Sequence, residues 1–243
     1  MTDWSTLSDA CGSAEHVPAL LDRFEADPSG VWSELMDHLC PQLDTVFSAS
    51  FAALPRLAGF ASSGGEEDRR WVLLAAGAIM ACAPSGDEVF EVFSTPIADL
   101  HRLTDQCLRE TADAENYIYL LQSLLSFEGV EIWDRCLEGL QTGEYEVDCP
   151  YCSVNMFIVI GGDDNFAASD DYDLQEVEKT PLHPLAADEL EGQAKRLRDR
   201  ALADGQQLVA RGLAYLFGQA DCPDCGTVFS VAERVLARWR VAP

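Results

Sequence analysis

Two cysteine pairs with the same spacing constrain this chain more than any other feature. The segments CPYC (149–152) and CPDC (222–225) each place two residues between two thiols, with proline in the second position. Two intervening residues let a tight turn direct both sulfurs at one ion, and four thiolates complete the tetrahedral coordination that zinc adopts. The sequence therefore predicts one structural Zn²⁺ that ties two distant segments together. The predicted ligands are Cys149, Cys152, Cys222 and Cys225.

The second pair continues as CPDCGTVF and resembles a zinc-ribbon knuckle, in which glycine after the second cysteine permits a positive φ. The first pair departs from that pattern at Ser153, where glycine is usual. The separation departs as well, because 69 residues lie between Cys152 and Cys222, against roughly 15 to 20 in a ribbon. An insertion is acceptable where both its ends return to one place, so we still expect a single site.

The tetrapeptide CPYC is also the active-site motif of glutaredoxins, which makes a thiol oxidoreductase the alternative. In that family the motif follows a strand and opens a helix whose N-terminus lowers the pKa of the first thiol. Here residues 153–160 read SVNMFIVI, which is typical of a strand, and a second thiol pair is present. We therefore expect Cys149 to bind metal and not to act as a nucleophile.

Composition limits the class of protein. The chain has 243 residues and is 48% hydrophobic, which is enough to bury one large core or two modest ones. No run approaches the roughly 20 apolar residues of a membrane span, and the start MTDW does not resemble a signal peptide. Nine cysteines, an odd number, suit a reducing compartment better than a disulfide framework. We therefore expect a cytoplasmic protein.

The net charge of −26 excludes one group of partners. Only 16 basic residues oppose 42 acidic ones, and so acidic a surface repels phosphate backbones and anionic lipids. We therefore expect neither direct nucleic-acid binding nor membrane binding. An acidic surface suits a basic protein partner, and the alternative is that the charge serves solubility alone.

Apolar residues recur at spacings of three and four through residues 1–143, which predicts helices almost throughout. The stripes comprise Leu20, Leu21 and Phe24, then Trp32, Leu35, Met36 and Leu39, then Phe47, Phe51, Leu54 and Leu57. Residues 71–82 (WVLLAAGAIMAC) are apolar nearly all round and predict an inner helix. Short turns at 27–30 and 62–65 predict antiparallel neighbours, and Ser85 with Glu88 forms a capping box.

A weak repeat with a period near 40 runs through the same part. Pro18 and Pro55 each precede a leucine by two positions, and Trp32 and Trp71 are 39 apart. Helix pairs with this period are typical of α-solenoids. The run WSELMDHLCPQLDTVFSASFAALPRLAGF, followed by DRRWVLLAAGAI, resembles the degenerate HEAT-like repeat proteins of bacteria over residues 14–141. The alternative is an irregular helical bundle in which the prolines coincide by chance.

The HEAT-like resemblance implies a binding scaffold that carries no catalytic residues, and some bacterial members resemble immunity proteins that neutralise toxins. The chain lacks the common motifs for nucleotide binding, metalloprotease and serine hydrolase chemistry. The four histidines are isolated in sequence and are expected to be surface or packing residues. They are His16, His38, His101 and His183. We therefore expect a protein that is not an enzyme.

After Gly143 the pattern changes. Segments 145–147 and 155–160 predict a hairpin with the first thiol turn at its tip. Residues 163–184 are acidic and lack a period, which predicts a loop; its acids from Asp163 to Glu178 are the candidate contacts for a basic partner. Calcium binding is the alternative for this loop, but Ala167 breaks the EF-hand order. Residues 185–202 and 208–217 predict amphipathic helices, and Ser230 caps a last helix.

The sequence thus predicts a mainly α protein of two domains. Residues 1–143 form a HEAT-like stack of helical hairpins, and residues 144–243 form a smaller α+β, zinc-ribbon-like module with a helical insertion. We expect a protein-binding function, in its most concrete version an immunity-type inhibitor of a basic toxin or enzyme. A zinc-ribbon protein associated with transcription, or an adaptor, is the alternative.

Overall fold

The computed structural model describes residues 2–83, 88–130, 132–161, 164–170, 172 and 176–241. Contacts group the chain into two compact units, Met1–Thr111 with Tyr119–Arg135, and Ala112–Ile118 with Cys136–Pro243. The predicted domain boundary after residue 143 stays a prediction. Four residues of the predicted capping box and acidic segment lie outside the described residues. They are Ser85 of the capping box, and Asp163, Asp171 and Asp173 of the acidic segment.

The first unit is helical apart from a hairpin near its start. Strand β1 (Ser8–Asp9) pairs with β2 (Gly12–Ser13), and Gly12 adopts a φ of 115° at the turn. The helices that follow are α1 (Val17–Ala26), α2 (Pro28–Leu39), α3 (Ser48–Ser63), α4 (Glu66–Ala81), α5 (Glu88–Val92), α6 (Ser94–Glu110), α7 (Ala114–Phe127) and α8 (Trp133–Cys136). Helix α7 begins in the second unit and continues in the first.

The segment at 27–30, predicted as a turn, instead begins a helix. Asp27 is the N-cap of α2, and its carboxylate accepts a hydrogen bond from the Gly30 N–H at 3.0 Å. Pro28 occupies the first helical position, where a missing N–H has no consequence. A cap and a proline shorten the connection between α1 and α2 to a single residue.

The helices of the first unit pack in pairs. Helix α1 packs against α2 and α3 against α4, while α1 also contacts α3 and α2 contacts α4. The rings of Trp32 on α2 and Trp71 on α4 have centroids 6.1 Å apart. The prediction of an inner helix is confirmed for α4, because Val72, Leu73 and Ile79 are almost fully buried. The buried faces of these helices therefore form the core of this unit.

The second unit contains a six-stranded antiparallel sheet that curls. Its strands, in both chain and spatial order, are β3 (Glu144–Asp148), β4 (Asn155–Gly161), β5 (Asp164–Ala168), β6 (Lys179–His183), β7 (Gln219–Asp221) and β8 (Val228–Ser230). The predicted hairpin is confirmed, since β3 pairs with β4 from Glu144↔Val159 to Asp148↔Asn155. Met156, Ile158 and Ile160 alternate into the core.

The prediction of a loop over residues 163–184 is wrong, because β5 and β6 lie within it. Strand β5 pairs with β4, and Phe166 of β5 lies opposite Pro181 of β6. Neither stretch shows the alternation of apolar and polar residues that is typical of a strand. The consecutive residues Ala167 and Ala168 are both buried. The neighbouring strands specify this pairing, and the local sequence pattern does not.

Four helices complete the second unit: α9 (Glu138–Thr142), α10 (Gly192–Ala203), α11 (Gln207–Leu216) and α12 (Val231–Val241). Helix α12 is fastened to β3, where Arg234 Nε donates to the Asp148 carbonyl at 2.9 Å and Arg238 pairs with Glu146 at 2.8 Å. Among the described helices, none has the length and apolar character needed to cross a membrane. The chain is thus mainly α, with a smaller sheet part.

We predict that Gly77→Ala destabilises the first unit by about 1 to 3 kcal/mol, although alanine favours helices. A Cβ on Gly77 of α4 would lie 2.8 Å from the Ser123 Cα of α7, which is backbone and cannot rotate away. Gly59→Ala in α3 is the matched control, because a Cβ there meets nothing within 4 Å. We expect it to stabilise by about 0.5 to 1 kcal/mol. Urea unfolding measures both; equal effects would contradict the packing.

Candidate metal centre

The strands place the four predicted ligands at the tips of two hairpins. Cys149 and Cys152 lie between the end of β3 and the start of β4, and Cys222 and Cys225 lie between β7 and β8. These hairpins are the first and last strand pairs of the sheet order. The curl of the sheet therefore brings together two tips that the strand order separates.

Both tips have the same hydrogen-bonded turn. In each, the first cysteine donates its N–H to the carbonyl five residues later, and the residue four positions on donates to the carbonyl of that cysteine. These bonds are Cys149 to Val154 (2.9 Å), Ser153 to Cys149 (3.1 Å), Cys222 to Thr227 (2.9 Å) and Gly226 to Cys222 (2.9 Å). The fourth residue after the first cysteine has a positive φ in both, 60° at Ser153 and 70° at Gly226.

The four sulfur atoms have the spacing of a tetrahedral thiolate site. The Sγ atoms of Cys149 and Cys225 are 3.7 Å apart, as are those of Cys152 and Cys222. All four lie within 4.8 Å of one another. Zinc–sulfur bonds of about 2.3 Å imply an edge of about 3.8 Å between sulfurs, whereas a disulfide needs about 2.05 Å. All nine cysteines are free thiols, and these four can hold one metal ion.

In each pair the first cysteine is buried and the second is exposed. Cys149 and Cys222 are 2% and 1% exposed, whereas Cys152 and Cys225 are exposed. A tetrahedral ion held by all four sulfurs would have no position left for water or substrate, and closed coordination of this kind is typical of structural sites.

Without a cation the thiols differ in acidity. Hydrogen bonding with the side chain and the backbone of Thr227 lowers the pKa of the exposed Cys225 thiol to about 6. Burial raises the pKa of Cys222 to about 12. Metal binding requires all four thiolates, so a cation must release the protons that remain.

The histidines, predicted as surface or packing residues, are partnered by acids. His101 pairs with Glu128 at 3.0 Å and His183 with Asp221 at 3.3 Å. His16 and His38 lie together beside Asp9, although they are far apart in sequence. No spacing motif in the sequence reveals that cluster.

Of the cysteines outside the thiol turns, Cys40, Cys107 and Cys136 are buried, and Cys82 is half-buried. The Sγ atoms of Cys40 and Cys82 are 3.4 Å apart, and Arg135 donates to Cys82 Sγ at 3.1 Å. The hydrogen bond between the two thiols lowers the pKa of Cys82 and raises that of Cys40. The sequence does not predict this contact.

The described acids of the predicted partner-binding segment are exposed. Asp164 begins β5, Asp170 follows that strand, and Glu176 and Glu178 precede β6. Of these four acids, Asp164 lies in β5 and the other three lie close to the ends of β5 or β6.

We predict opposite effects from exchanging the residues with positive φ in the two turns. Ser153→Gly removes the strain of a side chain at φ 60° and should stabilise the metal-loaded protein by about 0.5 to 1 kcal/mol. Gly226→Ser introduces the same strain and should destabilise by about 1 kcal/mol. A Cβ at Gly226 meets nothing within 4 Å, so only the backbone responds. Urea midpoints measure both; shifts in the same direction would contradict the shared turn geometry.

Comparisons with known proteins add no information about this site. No family model matches the chain, and neither a curated protein nor a solved structure matches it. The resemblances to HEAT-like repeats and to zinc ribbons therefore stay predictions from the sequence. The structure shows a mainly helical chain with a C-terminal sheet and a cluster of four cysteines that can hold a metal ion.

Proposed function

We propose that the four-cysteine cluster is a structural Zn²⁺ centre and that this protein binds a basic protein partner, without catalysis. The donor set supports zinc, because four soft thiolates at tetrahedral spacing select that ion or an iron–sulfur cluster. The separation of 3.7 Å in two sulfur pairs is close to the edge expected around one zinc ion.

A HEAT-like stack is the proposed form of the helical unit. Its support is the pairing of α1 with α2 and of α3 with α4, together with contacts between equivalent helices of the two pairs. Trp32 and Trp71, which hold equivalent positions in the proposed repeat, contact each other. Stacked helical hairpins bury their apolar faces on one another and leave long surfaces for partners.

The observation that carries the binding proposal is the distribution of charge. Among the described residues, at least nine of the 16 basic side chains are engaged by the chain's own acids. These pairs are Arg23–Glu34, Arg56–Asp22, Arg102–Asp99, Arg109–Asp105, Arg135–Asp44, Lys195–Asp199, Arg198–Asp199, Arg200–Asp204 and Arg238–Glu146. Because these basic side chains are neutralised locally, the excess of acidic residues determines the electrostatic field around the protein. Such a field attracts a cationic protein and repels nucleic acid.

An inhibitor of the immunity type is the most concrete version of this function. Electrostatic complementarity accelerates encounter with a basic toxin or enzyme and masks its cationic residues. The exposed acids Asp164, Asp170, Glu176 and Glu178 are the proposed contacts. Tyr151, 80% exposed at the tip of the first thiol turn, is an aromatic side chain of the kind that anchors interfaces.

A thiol oxidoreductase is the second candidate, favoured by one observation. The exposed thiol of Cys225 has a pKa of about 6 when no cation is present, which is typical of reactive cysteines. Against it, both thiol turns lie between two strands, and neither opens a helix. Metal occupancy separates the candidates, because a thiolate bound to zinc is protected from redox chemistry.

We predict that the protein purified without added metal contains one zinc per chain at the cluster. Cys222→Ser removes one ligand, so we expect that zinc to be lost and the second unit to unfold at lower urea, since metal binding and folding are coupled. Cys11→Ser is the control, because Cys11 is an exposed thiol outside the cluster. Elemental analysis and urea unfolding measure the result. Protein without zinc but with a fast-reacting Cys225 would favour the oxidoreductase.

We predict that neutralising the acidic segment slows association with a partner captured from the native host and then purified. The variant combines Asp164→Asn, Asp170→Asn, Glu176→Gln and Glu178→Gln. We expect an association rate about tenfold lower at low salt, with the difference shrinking as salt rises.

A charge-matched control tests whether the position of the acids matters. Glu67→Gln, Glu88→Gln, Glu91→Gln and Glu110→Gln remove four exposed charges from the first unit. Stopped-flow association with both variants is compared with wild type. If both slow association equally, net charge alone is responsible; if neither does, the acidic segment is not the contact surface.

A further inference from the structure

A second cluster of potential ligands lies in the first unit, separate from the cysteines. Asp9 Oδ2 is 3.0 Å from His16 Nε2 and 2.7 Å from His38 Nδ1, and the two ring nitrogens are 3.1 Å apart. The three atoms form a triangle. Two imidazoles and one carboxylate are a common ligand set for divalent transition metals.

Three different elements hold this triangle in place. Asp9 lies in β1, His16 immediately precedes α1, and His38 lies in the last turn of α2. The backbone N–H of Cys11 donates to Asp9 Oδ1 at 2.9 Å, and the Ala10 N–H donates to the His38 carbonyl at 3.0 Å. Asp9 Oδ1 is thus hydrogen-bonded outside the triangle, and Asp9 Oδ2 is the carboxylate oxygen that belongs to it. Outer contacts of this kind orient the ligands of metal sites.

Hydrogen bonds alone cannot satisfy all three sides of the triangle while Asp9 is ionised. An imidazole nitrogen carries either a proton or a lone pair, and a carboxylate oxygen only accepts. If both nitrogens are protonated, two N–H donors face each other across 3.1 Å. If one is bare, its lone pair points at the Asp9 oxygen. A cation removes the mismatch, because it accepts a lone pair from all three atoms.

The spacing of the three atoms also fits a metal. Ligands at about 2.1 Å and at right angles to one another are about 3.0 Å apart. The three separations, 2.7, 3.0 and 3.1 Å, lie around that value. Three ligands on one face leave the opposite positions of the ion free for water.

Burial supports the same arrangement. The Asp9 side chain is fully buried, whereas the side chains of His38 and His16 are 21% and 44% exposed. Burying a negatively charged carboxylate costs free energy unless nearby groups offset its charge. A divalent cation supplies a positive charge that does so. The exposed His16 side gives the ion a path from solvent.

We propose that Asp9, His16 and His38 form a binding site for a divalent transition-metal ion, with coordination positions open to water. Asp9 Oδ2, His16 Nε2 and His38 Nδ1 are the ligand atoms. This site differs from the four-cysteine cluster in donor type and in openness. It does not depend on the proposed protein-binding function.

Cobalt(II) tests the site in the full-length protein after one equivalent of zinc has filled the cysteine cluster and unbound zinc has been removed, because excess zinc would also occupy the proposed site. Excess Mg²⁺ occupies the acidic surface non-specifically. We expect calorimetry to detect one further Co²⁺ per chain, and the absorption spectrum to show no sulfur-to-cobalt charge-transfer band. Proton–nitrogen spectra of the imidazoles should show changes at His16 and His38 but not at His101 or His183.

Substitutions assign the ligands. We expect His16→Gln and His38→Gln to weaken this cobalt site more than about 100-fold, beyond the loss typical of outer contacts. Asp9→Asn keeps the size of the side chain and should also lose the metal while far-ultraviolet circular dichroism stays unchanged. His101→Gln is the control, because that histidine pairs with Glu128, outside the cluster, and its loss should leave the cobalt site unchanged.

Two results would overturn the proposal. One is a wild-type protein that takes up no cobalt beyond the cysteine cluster or shows cobalt only on sulfur. The other is an unchanged cobalt affinity in His16→Gln or His38→Gln. If these variants unfold, the imidazole spectra of the wild-type protein decide between the outcomes without them.

Discussion

The contact among four sulfur atoms determines how the sheet of the second unit closes. Hairpins β3–β4 and β7–β8 stand at opposite ends of the strand order, yet their tips meet with sulfur pairs 3.7 Å apart. Bringing the tips together closes a loop of 69 intervening residues, and the entropy of loop closure opposes this. Packing of α12 on β3 acts in favour, through Arg234 and Arg238. A metal ion held by all four sulfurs would add a favourable contribution, because metal binding and folding are coupled.

The charged side chains form local ion pairs and also determine the electrostatic field around the protein. At short range, basic side chains are bound to acids on the same or neighbouring helices, as in Lys195 with Asp199 and Arg56 with Asp22. Exposed pairs of this kind add little stability. Their larger effect is to cancel positive charge locally, so that the remaining acids dominate the field at longer range. In the proposed binding of a basic partner, the position of the acids would set the specificity, and both their position and their sum would affect the rate of encounter.

Local signals in the sequence predicted local structure well. The thiol turns were recognisable because all the residues that shape each turn lie within six positions, and the helices because their apolar stripes recur every three or four residues. Strands β5 and β6 were missed, since their pairing comes from strand neighbours and Ala167 and Ala168 break the alternation. The cluster of Asp9, His16 and His38 was missed for a related reason: 22 residues separate the two histidines, and only the packing of a hairpin and two helices brings them together.

The two thiol turns show how far structure can override a local preference. Ser153 and Gly226 occupy the same position in the same hydrogen-bonded turn, at φ values of 60° and 70°. Serine resists that conformation and glycine does not. The first turn nevertheless keeps both of its backbone bonds, at 2.9 and 3.1 Å. The β3–β4 pairing on either side, together with the convergence of the sulfurs, must therefore outweigh the strain. A strained residue persists only where its surroundings over-determine its conformation, and here the strand pairing on either side holds the turn that carries Cys149 and Cys152.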